Sequence, residues 1–593
     1  MRTLQRLIIP ALDVCPEVGL YVKLSGPSTL DVEQRHVSMR AGGELRTDTY
    51  FGVFSLGVWS TESVVRNLVV RVDASGEFAV ESIVTAPDGR ERVVDERQIG
   101  AGSSDIALPS LDDLGQGLLW FRLVCRSAEG RVRGFEIGTP DEPARQVHLG
   151  LAITTFNRMP YVAANVARLN RLFKEHPDTA DDVSVLIVDN ASNLELSIPG
   201  GAPIEIVTNP NLGGAGGFAR GLWEHRRRGQ ATHVLFMDDD ISFEPEVIPR
   251  TVALLRYSAR DDLCVAGSMM RMDRPAVQFE AGANCDPTAA NLWEPRGRGQ
   301  NLLYTRVLLD NERLEPFDYG AWWFYAFPVS ATDDYPPPLF VRGDDVYWGL
   351  RHTSGRSITI NGIGVWHADF DHKNGPTSAF YETRNVPIIT ALAYPEYQAA
   401  ELRARVVDVA LRSIFSFRYD WAQATLDGTE AFLAGPDALM GADPTAVHAR
   451  ARASYTTEVL RALTEDEMAI PDPRTRSRPT AFVMRLLAMA SLGGNLLPRF
   501  LRRLPPSVIF IQHRSVMAGV LRDELLFRFE PSAEGFTAQR DRRRAFALLR
   551  RTWRVARRIS REYAAVAAAY REAEPEMTSA AFWERKFADP ASR

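Results

Sequence analysis

Cysteines and long apolar runs are both scarce in this sequence of 593 residues. The four cysteines lie far apart, without the paired spacing of a zinc site or the density of a disulfide-stabilised domain, so we expect a reducing compartment. No stretch reaches the length of a membrane-spanning helix, because the best candidate, residues 481–497, contains Arg485 and is interrupted by Gly493 and Gly494. The cysteines are Cys15, Cys125, Cys264 and Cys285.

The N-terminus lacks the pattern of a secretory signal, since Pro10 and Asp13 interrupt a short apolar run. The sequence therefore predicts a cytoplasmic protein, with peripheral contact at the inner face of the cell membrane left open. A formal net charge of −6 gives no general attraction to nucleic acid. We expect no nucleic-acid partner, and any basic site must be local.

Length and sequence pattern together predict a multidomain α/β protein. Residues 1–147 contain short runs rich in β-branched and aromatic residues, separated by glycine, aspartate and serine. This pattern predicts an N-terminal β-sandwich or jelly-roll domain, ending in a linker at residues 139–143. The clearest predicted strands are residues 68–73, 78–84 and 118–124.

In residues 148–390, predicted strands alternate with helices, which indicates right-handed crossovers and a mostly parallel sheet. Binding sites in such sheets form beyond the carboxyl ends of the strands. Residues 391–593 carry helical periodicity and predict a helical C-terminal domain. The predicted central strands are residues 147–154, 183–188, 204–207 and 234–237, the central helices 161–176 and 216–227, and the C-terminal helices 399–417, 446–463 and 536–570.

Three adjacent aspartates follow the predicted strand at residues 234–237. Adjacent carboxylates repel one another and weaken an ordinary turn, which favours a bound cation. Asp238 and Asp240, at alternate positions, can face one divalent ion such as Mn²⁺ or Mg²⁺, whose other positions accept diphosphate oxygens and water. A polar turn with an aspartate cap is the alternative interpretation.

A glycine-rich segment, residues 209–217, leads into the predicted helix at 216–227. Glycine allows backbone to approach a ligand closely, and a helix N-terminus favours phosphate. The segment is neither a Walker loop nor a dinucleotide-binding fingerprint. A flexible connection explains it equally well.

Two more predicted strands end at polar residues. Residues 338–345 end in Asp344 and Asp345, whose pKa values can be driven apart to give a general base beside a binding group. Residues 364–367 end in His367, which is a ligand candidate only if the fold brings it to the aspartates. A capped turn and a structural histidine are the alternatives.

Aromatic and polar side chains offer candidates for sugar or phosphate binding. Trp322 and Trp323 are adjacent, so that one ring can pack in the core while the other forms a platform for a sugar. Core packing of both rings is the default. Tyr381, Arg384 and Asn385 fit phosphate or acceptor binding, and they fit a solvated helix face as well.

Residues 540–561 carry ten arginines interleaved with apolar residues. This pattern predicts a basic amphipathic helix suited to an anionic lipid surface. The alternative is a solvated helix whose apolar stripe packs on the protein.

The order of the motifs is more specific than any single one. The sequence resembles an inverting GT-A glycosyltransferase of family 2 and, more narrowly, the galactofuranosyltransferases that build cell-wall galactan from UDP-galactofuranose. The resemblance extends from residues 49–59 to residues 546–549 and so covers nearly the whole chain. The central motifs are residues 154–158, Asp189-Asn190, residues 211–214, residues 236–240, Trp322-Trp323, Asp344-Asp345 and Trp366-His367.

The resemblance implies a Rossmann-like GT-A domain with a mixed sheet, a UDP-sugar donor and a Mn²⁺ or Mg²⁺ cofactor. Asp238, Asp240 and His367 would hold the metal against the diphosphate. The implied donor-binding residues are Thr155, Arg158, Asp189, Asn211, Gly213, Gly214, Asp238 and Asp239.

On the acceptor side, the resemblance implies that Asp345 is the catalytic base. The implied acceptor is a glycan or a lipid-linked glycan, which makes membrane contact through the basic C-terminal helix a reasonable hypothesis. A homo-oligomer stays open. The implied acceptor-binding residues are Trp322, Trp323, Asp344 and Glu280.

Three positions depart from the pattern of the galactan enzymes. Gly343 and Phe370 each replace a tryptophan, and Ala283 replaces an acceptor-binding glutamate, although Glu280 is close by. All three changes affect the acceptor side. The chemistry of a nucleotide-sugar donor is therefore better supported than the polymerisation of galactan.

The expected reaction is a single in-line displacement in which Asp345 removes a proton from an acceptor hydroxyl as it attacks the anomeric carbon, with inversion. One alternative is a GT-A enzyme with another donor or acceptor. A more distant one is a metal-dependent nucleotidyltransferase, which would release pyrophosphate. A non-catalytic carbohydrate-binding scaffold is the third.

Overall fold

Two antiparallel sheets form the N-terminal domain. We analysed a computed structural model that describes residues 1–289, 292–368, 375–470, 478–510, 517–529 and 532–588; Phe370 lies outside these ranges. The elements are β1 Arg2–Arg6, β2 Lys23–Ser25, β3 Ser28–Asp31, β4 His36–Met39, β5 Glu44–Arg46, β6 Phe54–Ser55, α1 Leu56–Glu62, β7 Val69–Ser75, β8 Phe78–Thr85, β9 Glu91–Ile99, β10 Gly102–Ala107, α2 Leu111–Leu114, β11 Leu118–Cys125 and β12 Gly130–Thr139.

The strand order confirms the predicted sandwich. One sheet runs β10-β7-β12-β4-β3, with β1 on β12, and the other runs β2-β5-β11-β8-β9, with β6 on β11. Phe121 of β11 and Phe135 of β12 pack with their ring centroids 4.9 Å apart, which places their contact between the two sheets. Alternating buried residues on β7 explain why its sequence predicted a strand.

A seven-stranded mixed sheet forms the centre of the second domain, with a four-stranded sheet beside it. The elements are β13 Leu149–Thr155, α3 Met159–Glu175, α4 Pro177–Asp181, β14 Val183–Asp189, β15 Ile204–Thr208, α5 Gly213–Arg228, β16 His233–Asp238, β17 Ile241–Phe243, α6 Val247–Tyr257, β18 Cys264–Ala266, β19 Ser268–Arg271, β20 Gln278–Glu280, β21 Ala283–Cys285, β22 Trp293–Pro295, α7 Thr305–Asn311, β23 Phe324–Pro328, α8 Asp344–Trp348, β24 Ser357–Ile358, β25 Gly364–His367 and α9 Pro376–Ala393.

The large sheet has the order β15-β14-β13-β16-β23-β18-β24, and the smaller sheet has the order β17-β25-β19-β20. Strands β13 to β16 are parallel, whereas β23 is antiparallel to its neighbours. Helix α5 packs very closely on β13, because a Cβ atom on Gly221 would lie 2.5 Å from the Ala152 Cβ. A Cβ atom on Gly217, in the glycine-rich start of α5, would likewise meet the Thr154 side chain of β13, so these glycines serve helix–sheet packing as well as any ligand.

The C-terminal region is mostly helical but also contains a four-stranded sheet, which the sequence did not predict. The elements are α10 Ala399–Phe415, α11 Tyr419–Leu433, α12 Pro436–Gly441, α13 Pro444–Ser454, β26 Arg461–Ala462, α14 Glu465–Met468, α15 Arg478–Ala490, β27 Val508–Phe510, β28 Glu524–Arg528, β29 Glu534–Gln539, α16 Arg542–Met577 and α17 Ala580–Ala588. Single turns of 3₁₀ or π geometry lie at Val18–Leu20, Val329–Ala331, Gly349–Thr353 and Arg499–Leu501.

Two helix predictions were too long at one end. The helix predicted at residues 446–463 ends at Ser454, and the one predicted at residues 536–570 begins only at Arg542, because residues 534–539 form β29. Both errors occur where a strand of the small sheet adjoins a helix. The strands of this sheet are short, so their apolar residues are easily counted with the helical pattern next to them.

Helix α16 packs its apolar stripe on the protein, which is the alternative interpretation of this basic amphipathic pattern. Val555 and Ile559 are fully buried. Arg544 pairs with Asp420, and Arg551 pairs with acidic residues of α11. The helix is therefore a structural part of the C-terminal domain.

The N-terminal domain packs directly on the central one. The Tyr21 hydroxyl donates to Glu244 (2.9 Å), and Arg250 donates to the backbone carbonyl of Phe51 (3.0 Å). The Phe51 ring lies 5.6 Å from that of Trp366 on β25. The first domain therefore supports the strand that carries His367.

None of the helices in the described residues combines the length and the apolar character needed to cross a bilayer.

Candidate functional site

Polar residues converge at one edge of the large sheet. In the parallel pairing of β13 with its neighbours, Thr154 lies opposite Asp238 and Thr155 lies opposite Asp189. The carboxyl ends of β13, β14 and β16 thus place these side chains at the same edge, as the sequence predicted.

Asp238, Asp240 and His367 form a group that could hold a metal ion. One ligand atom from each lies within 4.8 Å of the others. Strand β25 pairs antiparallel with β17, with Ile241 opposite His367, and this register carries the histidine to the acidic turn. The His367 Nε2 lies 3.1 Å from the Asp240 Oδ1. Two carboxylates and an imidazole are a donor set that fits a divalent metal ion.

The orientation of the His367 ring supports this interpretation. Its Nδ1 lies within hydrogen-bond distance of the Ala368 carbonyl, which can only accept, so Nδ1 carries the hydrogen. In the neutral imidazole, Nε2 then presents a lone pair toward the Asp240 carboxylate. In that protonation state two acceptors face each other, and a cation between them would satisfy both, whereas a doubly protonated ring would donate to Asp240.

Asp239 points elsewhere. Its Oδ1 accepts a hydrogen bond from the Arg158 Nη1 (2.8 Å), and the same nitrogen lies 2.8 Å from the Asp240 Oδ2. Burial raises the pKa of Asp239, and the charge of Arg158 opposes that shift. The structure therefore separates Asp239 from the metal group and connects it to the donor side through Arg158.

A cavity of about 180 Å³ lies beside Arg158. Thr155, Arg158 and Asp189, which the sequence predicted to bind the donor, all line it. Asn157 and Asn193 line it as well, and the amide of Asn193 donates to the Asn157 Oδ1 (2.7 Å). Sequence reasoning assigned no role to either asparagine, although Asn157 lies within the motif at residues 154–158 and Asn193 lies three residues after Asp189-Asn190.

Asp189 shapes the wall of this cavity. Its carboxylate accepts hydrogen bonds from the backbone N–H groups of Ala191 (2.9 Å), Asn193 (2.7 Å) and Leu194 (2.7 Å). The side chain thus fixes the loop that follows β14. Asp189 would therefore affect nucleotide binding mainly by holding this loop in place.

The glycine loop at the start of α5 contacts another loop of the site. The φ of Gly213 is +71°, and a Cβ atom there would lie 2.1 Å from the Phe340 carbonyl oxygen. A Cβ atom on Gly214 would lie 3.6 Å from the Asp344 carboxylate. Asn211 accepts a hydrogen bond from the Gly213 N–H (3.3 Å). The glycine-rich segment was predicted to let a ligand approach its backbone closely. At Gly213, the group that approaches closely is the backbone carbonyl of Phe340.

Residues 338–343 do not form the predicted strand. Phe340, Arg342 and Gly343 all have positive φ, at +69°, +67° and +87°. Asp344 and Asp345 then begin helix α8. An apolar run such as Leu-Phe-Val suggests a strand, but left-handed residues cannot continue one.

Asn385 and Arg384 hold this strained loop in place. The Asn385 amide lies 3.2, 2.9 and 2.8 Å from the carbonyl oxygens of Leu339, Val341 and Arg342, and Arg384 donates to Leu339 (2.6 Å). Asn385 and Arg384 are buried on α9, as is Tyr381. The interpretation of these three residues as a solvated helix face is therefore wrong, and a role in ligand binding stays a prediction.

Three carboxyl groups approach one another next to this loop. Burial raises the pKa of both Asp344 and Asp345, and the charge of Asp345 adds to the shift at Asp344. Burial and the charge of Asp345 together raise the pKa of Glu280 to about 8. The Glu280 Oε1 has no hydrogen-bond partner in the described part of the chain. Glu280 therefore lies in the electrostatic field of Asp345, and its role on the acceptor side stays a prediction.

Ala283 and the two tryptophans belong to the core. Ala283 is fully buried, and its N–H donates to the Tyr319 carbonyl (3.0 Å). Trp322 is 4% exposed and packs against Phe236, and Trp323 is 7% exposed and donates to the Gly267 carbonyl (3.1 Å). Both rings thus pack in the core, which was the default interpretation, and their assignment to the acceptor site stays a prediction.

Comparisons with known proteins agree with this geometry. Residues 4–133 match the family described as Galactofuranosyltransferase 2 N-terminal, residues 151–274 match Glycosyl transferase family 2, and residues 533–589 match Galactofuranosyltransferase-2, domain 3. The chain therefore contains a glycosyltransferase family 2 domain. Its central domain, with a mixed sheet and an acidic turn after β16, has the predicted GT-A arrangement.

The glycosyltransferase is similar over most of its length to two proteins named galactofuranosyltransferase GlfT2. It is 26% identical to that of Mycolicibacterium smegmatis, over 98% of this chain and 95% of the relative. It is 24% identical to that of Mycobacterium tuberculosis, over 94% of this chain and 93% of the relative.

Among solved structures, the mannosyltransferase PcManGT from Pyrobaculum calidifontis in complex with GDP-Man and Mn²⁺ aligns at a TM-score of 0.28 and 14% identity, over 53% of this chain and 86% of that one. Glucosyl-3-phosphoglycerate synthase from Mycobacterium tuberculosis, in complex with Mn²⁺, UDP and glucosyl-3-phosphoglycerate, aligns at 0.28 and 13% identity, over 41% and 79%.

Replacing Asn385 tests whether its contacts position the paired acids of the glycosyltransferase. We expect Asn385→Ala to lower the free energy of unfolding by about 1–3 kcal/mol, because buried carbonyls lose their donor. We also expect kcat to fall at least about tenfold, because a small shift of Asp345 disturbs the geometry of attack. The measurements are chemical denaturation and steady-state kinetics.

Asn361→Ala is the matched control, since Asn361 is also buried and donates to a backbone carbonyl, that of Leu308 (2.9 Å). It should lose comparable stability while kcat stays within about threefold of the unmodified protein. Equal losses of kcat in both variants would contradict a positioning role for Asn385.

Proposed function

We propose that the protein transfers galactofuranose from UDP-galactofuranose to a hydroxyl group of a glycan acceptor, with inversion, during the synthesis of a cell-wall or surface polysaccharide. The observation that carries this proposal is the similarity to galactofuranosyltransferases along nearly the full chain, in a protein whose acidic and histidine side chains meet at one sheet edge.

On the donor side, we propose that Asp238, Asp240 and His367 hold Mn²⁺ or Mg²⁺. The ion, when bound, neutralises charge on the leaving diphosphate. The cavity beside Arg158 has a suitable place for part of the nucleotide, because it adjoins the same acidic turn. Arg158 is the cation that pairs with this turn in the structure, and its guanidinium suits a phosphate oxygen equally well.

The nucleotide itself is assigned to the loops that follow β13 and β14. Thr155 and the Asp189 loop would line the nucleoside, and Asn211 with Gly213 would set the start of α5. A Cβ atom on Gly214 would lie 3.6 Å from the Asp344 carboxylate, so the start of α5 adjoins the paired acids. The proposed donor and acceptor sides are therefore neighbours at Gly214.

Asp345 is the proposed base. Its Oδ1 accepts a hydrogen bond from the Val346 N–H (2.8 Å), which orients the carboxylate at the start of α8. Asp344 and Glu280 would bind the acceptor. Because the pKa of Glu280 is raised to about 8, Glu280 carries a proton at neutral pH and can donate a hydrogen bond to a sugar oxygen. Trp322 and Trp323 would support the acceptor site only through their packing in the core.

A lipid-linked acceptor and a location at the inner face of the cell membrane remain part of the proposal. The basic helix α16 is not the contact we favour, since its apolar residues are buried. Whether the active form is a homo-oligomer is an open part of the same proposal.

Removing one ligand tests the metal assignment. Asp240→Ala should lower the affinity for UDP in the presence of Mn²⁺ by at least about a hundredfold, because loss of a ligand and of its charge weakens the site. Titration calorimetry with UDP and Mn²⁺ measures this. Asp239→Asn is the matched control and should keep that affinity within about tenfold, because Asp239 lies outside the metal group. Unchanged affinity in Asp240→Ala would refute the assignment.

Asp345→Asn tests the base. We expect kcat to fall at least about a thousandfold while Mn²⁺-dependent UDP binding is retained, because an amide cannot take up the proton. In the unmodified protein, kcat/KM should rise with pH through a pKa above the usual aspartate range, since burial raises the pKa of Asp345 and only its ionised form accepts a proton. A variant with near-normal turnover would contradict this role.

A donor panel tests the sugar. With a short synthetic galactan acceptor, UDP-galactofuranose should give UDP and an extended product, whereas UDP-galactopyranose and UDP-glucose should give at least about tenfold less. Preference for another UDP-sugar would show that the donor assignment is wrong, while the reaction would still be glycosyl transfer. Release of pyrophosphate would indicate a nucleotidyltransferase instead.

A further inference from the structure

A second and larger cavity lies on the other side of the loop that follows β14. Its volume is about 660 Å³, compared with about 180 Å³ for the cavity beside Arg158. It is lined by residues of this loop, of the end of β15, and of helices α5 and α17. We call it the α5–α17 cavity. Its volume falls within the range of about 300–1,000 Å³ that is typical of sites for small ligands.

Two buried asparagines contribute polar groups to the α5–α17 cavity. Asn190 and Asn209 line it and are 4% and 2% exposed. The Asn209 Nδ2 donates to the Asn190 Oδ1 (2.8 Å) and to the Pro210 carbonyl (3.0 Å), which fixes the orientation of the amide because both partners are acceptors. The Asn209 Oδ1 has no hydrogen-bond partner in the described part of the chain. A ligand hydroxyl would supply the missing donor.

Aromatic rings form another part of the wall. Trp223 of α5 and Phe587 of α17 line the cavity with their ring centroids 6.0 Å apart. The Trp223 Nε1 donates to Glu584 (3.1 Å), which also lines the cavity. Apolar ring surface next to amides, a carboxylate and the exposed hydroxyl of Thr208 suits a sugar, whose C–H groups pack on rings and whose hydroxyls both donate and accept.

The charges around the cavity favour a neutral ligand. Arg220 and Glu584 line it and carry opposite charges. Arg220 is paired within its own helix, since its Nη2 lies 2.9 Å from the Glu224 Oε1. The lining therefore offers no excess of positive charge for a phosphate group. A neutral ligand rich in hydroxyl groups fits both the charge and the polar groups of the wall.

We propose that the α5–α17 cavity is a second carbohydrate-binding site, which holds a short stretch of a neutral glycan. The loop after β14 contributes Asn190 to this cavity and Asp189 to the one beside Arg158, so the bound glycan would lie close to the donor side. Part of the acceptor chain, away from its reacting end, is the glycan we expect there. This identity rests on the proposed function.

Titration calorimetry of the full chain with a short synthetic galactan oligosaccharide, in the absence of any donor, tests the proposal. We expect two kinds of site per chain. Trp223→Ala should lower the affinity of one of them at least about tenfold, because the ring surface is lost, and leave the other unchanged. Thr208→Phe should cause a similar loss, because the larger side chain would occupy part of the cavity. For both variants, kcat with a short acceptor should stay within about threefold of the unmodified protein.

Trp553→Ala is the matched control. Trp553 also lies on a helix with a guanidinium over its ring, that of Arg557 at 4.5 Å, but it is 60% exposed on α16, outside the cavity. This variant should keep both kinds of site. Trp223→Phe retains an aromatic ring and should bind the oligosaccharide within about threefold of the unmodified protein. The thermal unfolding midpoint of each variant checks that folding is intact.

Three results would overturn the proposal: a single kind of site in the unmodified protein, a second site whose affinity is unchanged in Trp223→Ala and Thr208→Phe, or an equal loss in Trp553→Ala. Transfer from UDP-galactofuranose is measured separately. If transfer fails while the Trp223-dependent binding persists, the proposed function is wrong and the cavity is still a carbohydrate site. If transfer is normal and the second site is absent, the cavity assignment alone is wrong.

Discussion

Negative charge collected at the end of a buried sheet is the constraint on which the rest of the site depends. Asp238 ends strand β16, Asp239 and Asp240 follow it, and the Nε2 of His367 lies 3.1 Å from the Asp240 Oδ1. Such a group is stable only with positive charge close to it. Arg158 supplies part of this positive charge. The spacing of Asp238, Asp240 and His367 would allow a divalent ion to supply the rest. The pairing of β17 with β25 places Ile241 opposite His367, and this register brings the histidine to the acidic turn.

A second constraint joins the two halves of the site. The start of α5 and the loop at residues 338–343 touch so closely that only glycine fits at position 213. The loop is held from behind by Asn385, and it leads directly to the paired acids. Donor-side and acceptor-side residues are thus parts of one packed unit, in which a shift on one side changes the other.

Much of this could be read from the sequence, and the failures have physical reasons. Runs such as residues 183–188 and 234–237 are buried on both faces, so their strands and the acids that follow them were predictable. The loop at 338–343 has a similar apolar run, and nothing in its composition reveals left-handed backbone at Phe340 and Arg342. Likewise, the amphipathic pattern of α16 shows that one face is apolar but does not show that protein, rather than lipid, covers it.

The long C-terminal helix has one more consequence. Glu574 accepts hydrogen bonds from the Tyr347 hydroxyl (2.7 Å) and from Arg351 (2.8 Å), so α16 is attached to the same short helix that begins with Asp344 and Asp345. The indole of Trp583 donates to the Pro336 carbonyl (2.9 Å). A chain cut at residue 390 would therefore lose both the support that α16 gives to the acidic helix and the contact that α17 makes with the segment before it.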